Sequence, residues 1–137
     1  MSMTNNAHEF FKACDSGLGW DACKEWCHDG ATFSAQADAL ADVTTVEGYA
    51  EWMKGLMVPI PDGHYELKAL AADDERGNVT AVGVFHGTHT VDAGNGAPTG
   101  KSLAADYVYV MDFEGDKIKH MTKIWNDAHS LKQLGWA

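Results

Sequence analysis

Leu103-Ala104-Ala105-Asp106-Tyr107-Val108-Tyr109-Val110-Met111-Asp112-Phe113 alternates with a period of two. Leu103, Ala105, Tyr107, Tyr109, Met111 and Phe113 fall on one face, and Ala104, Val108 and Val110 on the other, as successive side chains of a β-strand do. A strand that is apolar on both faces needs cover on both. Helices can cover the concave face of such a sheet. A second subunit is the natural cover for the outer face, so the pattern predicts a homodimer joined through that face.

The neighbouring stretches share this period. Glu114-Gly115-Asp116 is a turn, and Lys117 to Trp125 a further strand. Upstream, His64 to Ala72 sets Tyr65, Leu67, Ala69 and Ala71 against His64, Glu66 and Lys68. Gly77-Asn78 marks a hairpin turn, Val79 to Thr90 another long strand, and Asp92 to Gly100 a loop rich in turn residues.

Before Ile60 the spacing is helical. Ala7, Phe10, Phe11, Cys14 and Leu18 share one face of a first helix, started by Asn6 and Glu9 in a capping-box-like pair and stopped by Gly17 and Gly19. A short helix from Asp21 buries Ala22, Cys23, Trp26 and Cys27, and Ala31 to Ala35 is a short strand. Thr44 and Glu47 announce a third helix with Val46, Tyr49, Ala50, Met53 and Met57 on one face. It ends before Pro59 and Pro61, because proline lacks the backbone donor. A closing helix runs from about Ala128 to Leu134. Helices first and then an antiparallel meander make one α+β domain over residues 1–137, with helices packed on one side of a curved sheet.

Composition excludes several partners. The chain has 137 residues, 45% of them apolar, and a formal net charge of -10, which stays negative even with all seven histidines protonated. Such a body is repelled by phosphates, so neither nucleic acid nor an anionic membrane surface is an expected partner. No apolar run approaches the roughly 18 residues of a membrane span, and Met1 to Asn6 lacks the features of a secretory signal, which predicts a cytoplasmic protein. Cys14, Cys23 and Cys27 read as buried reduced thiols. Cys23, Cys27 and His28 resemble half a metal site, but no second ligand pair follows, so no metal is expected. No phosphate-cradling or dinucleotide-binding glycine motif appears, and no cofactor is expected.

Chemistry then rests on acids and histidines near apolar strands. Asp106 reads either as a desolvated carboxyl suited to proton transfer or as a solvated strand residue. Asp127 ends a strand before the last helix, as a rim carboxylate or an N-cap. His86 and His89 face opposite sides of their strand, so only one can enter the concave side. Trp26, Phe33, Trp52, Met53, Met57, Tyr107, Tyr109 and Trp125 make a core or line a pocket for a flat apolar ligand, with His86 as a further lining candidate. Most other acids, Asp15, Asp29, Asp62 and Asp73 among them, read as solvent-facing.

Four stretches together resemble the SnoaL-like polyketide cyclases, in the superfamily of nuclear transport factor 2 and ketosteroid isomerase. They are Pro61-Asp62; Gly87-Thr88-His89-Thr90 followed by Pro98-Thr99-Gly100-Lys101; Gly115-Asp116-Lys117-Ile118; and Trp125-Asn126-Asp127 leading to Gln133-Leu134-Gly135. The resemblance implies a cone, a strongly curved antiparallel β-sheet packed over N-terminal helices with a short C-terminal helix, holding a blind apolar pocket. It also implies cofactor-free aldol chemistry with Asp127 as acid/base, His89 as pocket histidine, and Asp106 as the counterpart of a protonated enolate-holding aspartate. One departure is Thr90-Val91-Asp92, where the family commonly has Thr-Gly. The expected function is a cofactor-free cyclase, isomerase or lyase acting on a small apolar carbonyl compound; the alternative is a non-catalytic ligand-binding or dimerisation module of the same fold.

Overall fold

A computed structural model describes residues 2–94 and 96–137. Helix α1 (Met3–Asp15) is capped by Ser2, whose hydroxyl accepts from the Asn5 amide at 3.0 Å, rather than by Asn6. Asn6 is instead buried, and its side-chain amide donates to the Asp116 carbonyl at 2.8 Å, tying the helix to a strand turn. Phe10, Phe11 and Cys14 are fully buried, as their spacing predicts. Each buried phenylalanine contributes about 1.5–3 kcal/mol of transfer free energy. Leu18 departs from the reading: the helix ends three residues earlier, and Leu18 is exposed.

After α2 (Trp20–Cys23) and a tight turn, β1 (Cys27–Gln36) is longer than the predicted strand. Helix α3 (Val46–Leu56) is capped by Thr45, not Thr44, because the Thr44 carbonyl is already engaged by the Phe33 amide. Then follow β2 (His64–Asp73), β3 (Asn78–Thr88), β4 (Ser102–Glu114), β5 (Lys117–Trp125) and α4 (Asp127–Leu134).

The sheet order is β1-β5-β4-β3-β2. Strands β2 to β5 form the expected antiparallel meander, but β1 runs parallel to β5, so the five-stranded sheet is mixed. It is not closed: β1 and β2 are its edges. Bulges at Lys68 in β2, between Leu67 and Ala69, and at Lys119 in β5, opposite Asp112 and Phe113 of β4, add bend and twist. The first also switches parity, so Leu70 packs inward where the alternation assigned Ala69 and Ala71, which are exposed.

The concave face carries Val79, Ala81, Gly83 and Phe85 of β3 and the odd-numbered residues of β4, all buried: most join the core with α1 and α3, while Leu103 and Ala105 cluster with Ile60 and with Leu134 of α4. Gly83 permits a close approach. A Cβ there would lie 2.9 Å from both Cζ and the hydroxyl of Tyr107, whose ring stacks on Phe11. Among the described residues no helix is long and apolar enough to cross a membrane.

Candidate active site

Between α3, the ends of β4 and β5, and α4 lies a cavity of about 400 Å³, a volume suited to a small organic molecule. Trp52, Leu56, Ile60, Leu103, Trp125 and Leu134 make most of its wall apolar. The Trp125 indole is held by its N–H, which donates to the Ser130 hydroxyl at 2.9 Å. Trp52, Leu56, Leu103 and Trp125 also line a smaller recess of about 30 Å³, whose floor brings together Tyr49, Tyr107, Tyr109 and Lys123.

Among the described residues this floor is the largest connected polar group of the interior, which also buries Asn6, His89 and Ser130. The Lys123 ammonium donates to the Tyr49 hydroxyl at 2.9 Å, and the Tyr49 and Tyr109 hydroxyls are 2.5 Å apart. Tyr109 in turn donates to Asp15 Oδ1 at 2.6 Å, while Tyr107 donates to Oδ2. Asp15 is wholly buried and Lys123 is only 5% exposed. The ammonium is further surrounded by aromatic rings. It lies 4.4 Å from the centroid of Trp125 and 5.0–5.9 Å from those of Tyr49, Tyr107, Trp52 and Tyr109, within cation–π range.

Burial governs the protonation of all these groups. It pushes the Asp15 carboxyl up to about 6, against the pull of the two tyrosine hydroxyls and Lys123. Its place at the C-terminal end of α1, where unpaired carbonyls concentrate negative potential, acts in the same direction as burial. Burial likewise brings the Lys123 amine down to about 8, partly offset by attraction to Asp15. The three phenols are pushed well above their ordinary value by burial and by the nearby carboxylate, so they remain donors.

The sequence reading missed the two charged members of this floor. Asp15 was assigned to solvent, yet it follows Phe11 and Cys14 at four- and one-residue spacing on the buried side of α1. Lys123 stands between Met121 and Trp125 at inward parity on β5. Tyr49 appeared only as a core residue.

The predicted candidates scatter. Asp106 is exposed on the outer sheet face, opposite Val84, so the expectation of a desolvated carboxyl is corrected: it sits on the even-numbered face of β4, outside the cavity. Asp127 is half-buried at the rim, the first residue of α4, and its Oδ2 accepts from the Ala39 amide at 2.7 Å. The helix cap is Asn126, accepting from the His129 amide.

His89 is fully buried, with both nitrogens engaged within the protein. Nδ1 accepts from the Thr99 amide at 3.2 Å and the Trp136 indole at 3.0 Å, which leaves Nε2 to carry the proton and donate to the Val91 carbonyl at 2.9 Å. The ring thereby ties Val91, Thr99 and Trp136 together beside the cavity. His86 lies on the outer face, 3.3 Å from Glu66 and stacked on His64. Of the aromatic and methionine candidates, Trp52 and Trp125 line both spaces, and Met53, Tyr107 and Tyr109 the recess. Phe33 stacks behind Tyr49, while Trp26 and Met57 pack against the core away from both linings.

The profile of the SnoaL-like polyketide cyclase family matches residues 5–134. Among solved structures, IdmH of Streptomyces antibioticus, a proposed polyketide cyclase, superposes with a TM-score of 0.81 at 17% identity over 98% of this chain and 99% of that one. A proposed polyketide cyclase from Acidithiobacillus ferrooxidans gives 0.75 at 21% identity over 99% and 96%. A Catenulispora acidiphila protein of ketosteroid isomerase-like fold, in complex with trimethylamine, gives 0.72 at 15% identity over 98% and 95%. At these identities the likeness establishes the fold. No curated protein gives a significant match.

Proposed function

We propose, because the chain belongs to the SnoaL-like polyketide cyclase family, that it is a cofactor-free cyclase or isomerase promoting enolisation or aldol closure of a small apolar carbonyl compound. The observation that carries this reading is a single buried ammonium, Lys123, at the floor of an apolar cavity. A carbonyl oxygen drawn to that floor meets the ammonium, and the enolate formed on loss of an α-proton is stabilised there by a charge that excluded water does not screen. The neighbouring phenols spend their protons on one another and on Asp15, and the Tyr49 hydroxyl holds the ammonium in place. Asp127, beside Trp125, is the proposed base for the α-proton, in the position the resemblance gives to the acid/base aspartate; its bond to the Ala39 amide orients it.

Exchange of α-protons for deuterium in 4-phenylbutan-2-one and 1-tetralone, followed by NMR, tests the reading. Exchange at least tenfold above buffer, reduced by Lys123→Met and by Asp127→Asn, is expected. Binding of both ketones without exchange overturns it in favour of a ligand-binding module, a reading favoured by the absence of a carboxylate among the residues lining the cavity itself.

For the outer sheet face we propose a second copy of this chain as partner. Val82, Val108 and Ile124 stand side by side across β3, β4 and β5, and Ile124 is 49% exposed. An apolar row in register across three strands is a surface that a symmetric partner covers.

A further inference from the structure

We propose that Lys123 is a covalent site, its ε-amine condensing with the carbonyl carbon of an aldehyde or ketone in the cavity to form an imine. This rests on the reading that such a compound occupies the cavity, and it adds a bond between protein and substrate.

Three observations converge on this amine. First, the chain has nine lysines, and Lys123 alone is buried; the other eight are exposed or half-exposed. Among the described residues its hydrogen-bond partner is a phenol, Tyr49, and no carboxylate lies within ion-pair distance of it. An amine so held is free to be attacked or to attack, where a lysine locked by a carboxylate is not.

Second, it is reachable. Lys123 lines the recess, which adjoins the 400 Å³ cavity along the shared walls of Trp52, Leu56, Leu103 and Trp125. An apolar surround that excludes water also protects an imine from hydrolysis.

Third, the floor supplies a way to deprotonate the amine without releasing a proton to solvent. An imine requires the neutral amine as nucleophile. The hydrogen bonds from Lys123 to Tyr49, from Tyr49 to Tyr109 and from Tyr109 to Asp15 form a continuous chain. Moving one proton along each link turns the ammonium–carboxylate pair into a neutral amine and a protonated Asp15. The downward displacement of the amine by burial and the upward displacement of the carboxyl bring the two forms closer in energy.

The reaction balances without a co-reactant. The nitrogen lone pair forms the C–N bond while the carbonyl π pair moves to oxygen, which takes a proton from the now-cationic nitrogen to give a neutral carbinolamine. The hydroxyl then leaves as water, taking the proton stored on Asp15 through the same chain, and the nitrogen lone pair completes the C=N bond. The sum is ammonium plus carbonyl giving protonated imine plus water, and the positive charge stays inside the same aromatic surround that holds the ammonium. The protonated imine acidifies the adjacent C–H, and the enamine formed on its loss is the nucleophile for ring closure. Hydrolysis returns the free lysine.

The test is reductive trapping. The whole chain is incubated with sub-millimolar 3-phenylpropanal or 4-phenylbutan-2-one and sodium cyanoborohydride at pH 7, then analysed by intact mass and peptide mapping, with quenching of tryptophan fluorescence by 4-phenylbutan-2-one as the binding readout. A secondary-amine adduct on Lys123, forming at least tenfold faster than on any other lysine, is expected. Lys123→Arg is expected to lose that adduct, and Leu103→Trp, which adds bulk to the wall between cavity and recess, to slow it at least tenfold with the lysine intact. Quenching without a preferential adduct on Lys123 overturns the covalent step and leaves the acid/base reading standing. Neither quenching nor adduct overturns both.

Discussion

Lys123 and Asp15, which arise from opposite ends of the chain, are joined across the interior by three consecutive hydrogen bonds through Tyr49 and Tyr109. The ammonium lowers the cost of keeping the carboxylate ionised in that setting. Replacing it by Lys123→Met is therefore expected to raise the Asp15 midpoint above about 6. Carboxyl-carbon NMR across a pH series measures this directly, and an unmoved midpoint sinks the coupling.

Folding stability inherits a pH dependence from the same pair. Asp15 is displaced upward from its ordinary 3.8 to about 6. The native state therefore holds the proton more tightly than the unfolded chain, and its contribution is greatest below about pH 4 and is lost as pH rises through about 6. Lys123, displaced downward from 10.5 to about 8, contributes increasing stability as pH rises from about 8 to about 10. Each limb amounts to about 3 kcal/mol. Subtracting Asp15→Asn from wild-type urea unfolding curves isolates the acid limb. A difference that does not change between pH 4 and 6 contradicts the assignment.

Gly83→Ala is expected to lower stability by about 1–3 kcal/mol, because its Cβ would lie 2.9 Å from the Tyr107 ring and 3.2 Å from Phe11 in a filled interior. Displacing Tyr107 also removes a donor from Asp15, so the carboxyl midpoint is expected to rise with the loss of stability. A Gly83→Ala protein with unchanged unfolding and an unchanged midpoint would show that the tyrosine is not held against this glycine.

His89→Ala strands two donors at the edge of the core, the Thr99 amide and the Trp136 indole N–H, and leaves a void where the fully buried ring packed. A loss of about 2 kcal/mol is expected, together with a red shift in tryptophan emission as the C-terminal segment loosens. His89→Gln, which keeps an acceptor, is expected to restore part of both.

Ile124→Lys or Val108→Asp places a charge in the middle of the apolar row on the outer face. Sedimentation velocity is expected to find the wild type at twice the chain mass and either variant at the chain mass, with ligand quenching retained. A monomeric wild type at 100 µM, on the order of protein concentrations used for such runs, contradicts the second-copy proposal.

The alternation of residues 103–113 was enough to read the meander, because one buried face forces a period of two on each strand. The parallel pairing of β1 with β5 left no such mark: its ten residues include Asp29 and Gly30, and a parallel partner distant in sequence has no turn chemistry to announce it. The bulge after Leu67 shows the limit of periodicity itself, since one extra residue moved Leu70 to the face that simple alternation gave to Ala69 and Ala71. For the site, charge proved misleading. Asp106 lay amid apolar neighbours but on the outer parity, whereas Asp15 and Lys123 followed inward parity while looking like ordinary soluble residues. A buried charge is legible only from the position it occupies in the period, and neither side chain betrays by type that phenols await it across the core.

The order of groups along the cavity axis has a consequence for how a substrate lies. Lys123 borders the recess, while Asp15 sits behind the tyrosines and touches neither space. The floor is thus a fixed dipole with its positive pole toward the opening. On the proposed function, a carbonyl entering from the Trp136 side points its oxygen at that pole, its dipole along the field, and its carbon tail trails along Ile60 and Leu134. On that reading, the position of the carbonyl along the guest molecule sets how deep it inserts and which of its carbons lie against Trp125 and Leu134.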